Sequence, residues 1–117
     1  MSQLLERLRD WGADVDDGMQ RIYADEEFYT KCLNIFKTDE NFQKLDIALL
    51  ARNYNDAFTA AHTLKGVSGN LSLDPLYKSL CVLTEKLRAK DYSNLDSSCS
   101  EVKRKEMEFL KIMNFEG

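Results

Sequence analysis

The chain carries a single histidine, His62, among 117 residues. It stands in Ala61-His62-Thr63-Leu64-Lys65-Gly66-Val67-Ser68-Gly69-Asn70-Leu71-Ser72-Leu73. At about 100° per residue on a helix, Lys65, Gly66, Gly69 and Leu73 all fall within about 60° of His62. Two glycines inside a helix cost roughly 1 kcal/mol each relative to alanine. Close approach of another surface to the histidine face would give that cost a reason. The stretch reads as a histidine on a bare helix face, with a lysine one turn along.

A lone histidine can be a core residue, a metal ligand, a general base or a nucleophile. The core reading is the default, but Ala57, Ala60, Leu64, Val67 and Leu71 take the apolar side of the helix, opposite His62. A metal site needs several ligands, and no second histidine exists. Cys32, Cys81 and Cys99 are widely spaced, odd in number and form no CxxC pair, so neither zinc nor a disulfide framework is expected. General-base catalysis needs a substrate pocket and partner groups, and no Ser or Cys nucleophile motif or phosphate-cradling loop is present. The nucleophile reading explains more. A neutral imidazole nitrogen can attack phosphorus and hold the phosphoryl group as phosphohistidine. Lys65 would supply a cation for the phosphate oxygens, and Gly66 and Gly69 would leave room for the phosphate and for a partner. With no ATP site in the chain, the phosphoryl group must come from elsewhere.

The elements that must hold this histidine are helical. One proline, five glycines and little β-branched alternation point to an all-α protein. Hydrophobic residues make up 44% of the chain, enough for a core, and its length suits one domain spanning 1–117. Ser2 and Gly12 bound a short first helix carrying Leu4, Leu5, Leu8 and Trp11, and Trp11 is expected to pack it onto the rest. Asp14, Asp16 and Asp17 suit the mouth of a helix better than a calcium loop. Asp25 and Asp39 can cap two more helices, and Asn53 marks a break. The central helix is expected over Tyr54 to about Leu73. Asp74-Pro75 then reads as N-cap and first helical residue. A leucine stripe at 76, 80, 83 and 87 follows, and a last helix covers about 95–114. The expected fold is an antiparallel four-helix up-down bundle, with one or two short additional N-terminal helices.

The hairpin around Asp74 brings Thr84 and Arg88 opposite His62, and Arg88 would add a second charge. Phe58, one turn before His62, can wall the site or tuck under the neighbouring helix. Met19 and Ile22 fit either an apolar docking patch or ordinary core, and Tyr23 is expected in the core. Lys103-Arg104-Lys105 reads as a solvated face.

Ala61-His62-Thr63-Leu64-Lys65-Gly66 followed by Gly69-Asn70-Leu71 resembles the signature of histidine-containing phosphotransfer (HPt) domains of two-component phosphorelays. The likeness extends to Asp16 through Arg21, Glu27-Phe28-Tyr29, Leu33 to Phe36 and Leu80 to Arg88, covering roughly 12 to 113. It implies that His62 accepts a phosphoryl group from one receiver-domain aspartate and passes it to another. Lys65 would steady the group and Gly66 would give access. The implied partners are response-regulator receiver domains and a sensor or hybrid histidine kinase. No cofactor is expected on this chain, because Mg²⁺ would sit on the receiver domain. Two departures stand out. Ser72 occupies a position where the family often has glycine, and Thr84 one where some members carry a longer polar side chain.

A net charge of −4 without a dense basic patch argues against nucleic acid. No apolar run approaches the ~20 residues of a membrane span. The N-terminal segment is charged within six residues, so no signal peptide is expected, and a cytoplasmic monomer with reduced thiols is. The start at Met1 and the lack of a trailing linker suggest a free-standing protein, and without an ATP site it is expected to be a phosphocarrier, not an enzyme with its own turnover. The alternatives are the histidine-bearing domain of a chemotaxis-type or hybrid kinase, a helical interaction module never phosphorylated, and an enzyme using His62 as a general base.

Overall fold

Short polar side chains start five of the helices in this computed structural model, which describes residues 2–115. The Ser2 hydroxyl accepts from the Leu5 amide and opens α1 (Gln3–Trp11). Asp14 opens α2 (Val15–Arg21), Asp25 opens α3 (Glu26–Phe36), and Asp39 opens α4 (Glu40–Leu50). Asn53 opens α5 (Tyr54–Asn70) by accepting from the Asp56 amide at 3.2 Å. Each such cap satisfies an amide that the helix itself cannot. The last two helices, α6 (Asp74–Arg88) and α7 (Leu95–Met113), have no side-chain cap.

The helix ends are less conventional. Gly12 closes α1 at φ 117, but Tyr23, Arg52, Ser72 and Lys90 take the same left-handed role after α2, α4, α5 and α6 at φ 53 to 57. In each case the amide two residues past the last turn bonds back to a carbonyl five residues earlier, as Leu73 does to Ser68 at 2.9 Å. This is the Schellman closure, built here on side chains that resist it by about 1 kcal/mol.

That closure corrects three expectations. The central helix ends at Asn70 instead of reaching Leu73. Leu73 is the N-cap of α6 and is fully buried; Asp74 is already helical and Pro75 is the second helical residue. Burial of the leucine, not a carboxylate cap, fixes that start. Tyr23 is 98% exposed instead of in the core, because its left-handed backbone turns it out at the end of α2.

The described residues form an all-helical bundle. Helix α4 packs on α5, α5 on α6, and α6 on α7. Helices α3 and α4 line α5 in succession. Tyr29 of α3 donates a 2.6 Å hydrogen bond to the Leu71 carbonyl at one end of α5, while Ala48 of α4 and Ala60 of α5 border one groove toward the other. Lys103 of α7 bonds Asp46 of α4 at 2.9 Å and closes the ring of four columns. The short helices α1 and α2 cover the end that carries the α5–α6 turn. Trp11 stacks on Phe109 with centroids 6.1 Å apart and donates to Glu108. The Asp14 amide donates to the Ser72 carbonyl. Burial of α5 runs through Ala57, Ala60, Ala61, Leu64 and Ser68, whereas Val67 is only partly covered. The small residues on this face let the flanking helices close in.

Candidate functional site

His62 lies near the middle of α5 on the face left by this packing. Its side chain is exposed, and among the described residues no hydrogen bond reaches the imidazole. One turn earlier, the Phe58 ring stacks against it with centroids 5.7 Å apart and planes 14° from parallel. The Arg88 guanidinium of α6 lies 5.7 Å from the Phe58 centroid and is held by Glu85 at 2.5 Å. Arg88 therefore reaches the histidine patch through Phe58.

The two glycines beside His62 have different causes. A Cβ on Gly66 would meet nothing within 4 Å. Packing within the chain gives no reason for glycine there. A Cβ on Gly69 would stand 2.9 Å from Cε1 of Tyr77. The room expected at Gly69 is thus filled by a ring from α6, and close helix packing explains that glycine. Lys65 is partly buried and makes no ion pair among the described residues.

The α5–α6 hairpin orders these residues. Gly69 and Tyr77 are equally distant in sequence from Leu73, and so are Phe58 and Arg88. The same spacing sets Thr84 level with His62. Thr84 is buried, and its hydroxyl has no hydrogen-bond partner among the described residues. Sequence reasoning missed Tyr77 and Glu85. Tyr77 was legible from the spacing that placed Arg88, and Glu85 from its three-residue offset to Arg88.

Met19 and Ile22 are partly buried and pack against the core while remaining accessible. Ile22 borders an open apolar groove with Phe28, Cys32, Ile35 and Val67, in which Ile35 is 67% exposed. Ser72, in its left-handed backbone, donates to Asp17 at 2.5 Å. That bond and the Arg21 guanidinium at 2.7 Å hold the Asp17 carboxyl below the usual carboxylate range. Ser72 thereby anchors α2 beside the histidine helix, and Gly18 allows it. A Cβ there would lie 2.4 Å from the Leu71 carbonyl oxygen.

A groove of about 890 Å³ between α4 and α7 does not include His62. No group of three or more His, Cys, Asp or Glu could hold a metal ion among the described residues. None of their helices is long and apolar enough to cross a membrane. An exposed imidazole with open space over the next turn is open to approach by a second macromolecule.

A family model described as the Hpt domain matches residues 35–110. No curated protein and no solved structure matches the chain.

Proposed function

Because the chain belongs to the Hpt domain family, a family of phosphocarrier modules for histidine phosphotransfer in two-component signalling, we propose that it is a phosphorelay intermediate acting through His62. The observation that carries this reading is the pairing of an exposed His62 with a Gly66 whose missing side chain leaves open space.

In the proposed reaction, a neutral imidazole nitrogen attacks the phosphorus of a receiver-domain aspartyl phosphate. An N–P bond forms, the O–P bond breaks, and the aspartate leaves as a carboxylate. The return step onto a second receiver reverses these bonds. Lys65 is the cation for the phosphoryl oxygens, a mobile point charge instead of a fixed fork. Gly66 admits the receiver's loops. Arg88 adds positive charge at the edge of the patch, and Thr84 lies beneath it. Met19 and Ile22 form the apolar margin against which the receiver docks. Gly69 contributes indirectly by seating Tyr77. Mg²⁺ belongs to the receiver in this scheme. The scheme asks for no ATP site and no turnover on this chain, and a sensor or hybrid histidine kinase stands upstream.

A chase tests the carrier role. The protein is labelled from one phosphorylated receiver domain, purified, and mixed with a second, unphosphorylated receiver and Mg²⁺. The label is expected on the second receiver. Release of all label as inorganic phosphate, with none on the receiver, would overturn the carrier reading.

A further inference from the structure

We propose that Phe58 is a positioning residue for His62, its ring holding the imidazole in the orientation from which transfer occurs. The proposal rests on the phosphocarrier reading above and adds a determinant of its rate.

Helical side chains lean toward the N-terminus, onto the residue one turn back. For His62 that residue is Phe58, and the two rings lie nearly parallel, 14° apart, at a centroid separation of 5.7 Å. This is within the range over which aromatic pairs attract. Among the described residues nothing hydrogen-bonds the imidazole, so the ring contact is the restraint on an otherwise exposed side chain. Phe58 is itself fixed. It is half-buried and packs against the core. The Arg88 guanidinium lies 5.7 Å from its centroid, within cation–π reach, and Glu85 tethers that guanidinium. The orientation of His62 on α5 is thereby referred to α6.

A face contact suits this task. The nitrogen lone pairs of imidazole lie in the ring plane, so a ring stacked on one face leaves both nitrogens open to an incoming phosphorus. A hydrogen bond to either nitrogen would occupy it. A free histidine in a helix samples two principal χ1 wells and a roughly two-fold χ2, about four orientations. If one is productive, restraining the ring raises the competent fraction by at most about fourfold. This bounds the effect of removing Phe58.

The test compares wild type with Phe58→Leu, which keeps apolar bulk, and Phe58→Tyr, which keeps the ring. In the proton spectrum of the wild type, the His62 ring signals are expected to be displaced by the Phe58 ring current. Leucine should abolish the displacement and tyrosine retain it. In single-turnover transfer from a phosphorylated receiver domain, Phe58→Leu should lower the limiting rate about two- to fourfold. The half-saturating receiver concentration should be unchanged, and Phe58→Tyr should restore the rate. An unchanged limiting rate in Phe58→Leu would overturn the proposal. So would a raised half-saturating concentration at an unchanged limiting rate, which would make Phe58 a docking residue. If wild type takes no label at all, the phosphocarrier reading fails, and this inference with it.

Discussion

Tyr77 lies so close over Gly69 that a single added carbon would meet its ring at 2.9 Å, whereas Gly66, three residues earlier on the same helix, faces open space. The two glycines should therefore respond differently to alanine. Gly66→Ala is expected to stabilise the protein by about 1 kcal/mol, the usual helix preference of alanine over glycine. Gly69→Ala should recover less or lose stability, because Tyr77 must move. Denaturant unfolding of both variants checks this, and equal gains would show that Tyr77 does not constrain Gly69.

Bulk at the open glycine should separate stability from function. Gly66→Gln is expected to keep the helix and block phosphoryl transfer from a receiver domain. Transfer at the wild-type rate would refute the access role of Gly66.

Lys65 makes no ion pair among the described residues, so its removal should cost the fold little. We expect Lys65→Ala to unfold within about 0.5 kcal/mol of wild type. Transfer should slow by roughly two- to fivefold, the kinetic equivalent of the ~0.5–1 kcal/mol of an exposed charge contact. Unchanged transfer kinetics and an unchanged phosphohistidine lifetime would remove Lys65 from the site.

Attachment of α2 depends on a close approach. Gly18→Ala would place a carbon 2.4 Å from the Leu71 carbonyl oxygen, and backbone cannot swing aside as a side chain can. Overpacking of this kind costs about 1–3 kcal/mol. Hydrogen exchange should show α2 opening before α5. A variant as stable as wild type, with α2 still protected, would contradict this placement.

Glu106 gives the bundle a pH signature in the α4–α7 groove, whose lining does not include His62. It is almost wholly buried on α7, and burial pushes its carboxyl above the ordinary value, with Lys103 only partly opposing. The folded state therefore keeps this proton to higher pH than the unfolded chain. Stability from Glu106 is full below the ordinary carboxyl pKa and is lost as pH rises through the raised one. Glu106→Gln should flatten that fall. A pH–stability profile as steep as wild type across this window would assign the slope to other groups.

The sequence made five helix beginnings legible because Ser2, Asp14, Asp25, Asp39 and Asn53 advertise their caps, whereas α6 starts from buried Leu73 and not from an Asp74 cap. It hid four endings, where Tyr23, Arg52, Ser72 and Lys90 take the left-handed backbone that glycine usually supplies. The exposure of Tyr23 and the early end of α5 both follow from that conformation. His62, Lys65 and Gly66 were readable as one helix face. The causes of the two glycines were not, because Tyr77 approaches from another helix. The partial exposure of Val67 depends likewise on where the neighbours of α5 fall, which helical periodicity alone cannot specify.

The central claim is that His62 receives the phosphoryl group. It is tested by incubating wild type and His62→Gln with a phosphorylated receiver domain and Mg²⁺, then following acid-labile, base-stable label. Label is expected on wild type and absent from His62→Gln. Equal labelling of the two proteins would contradict it.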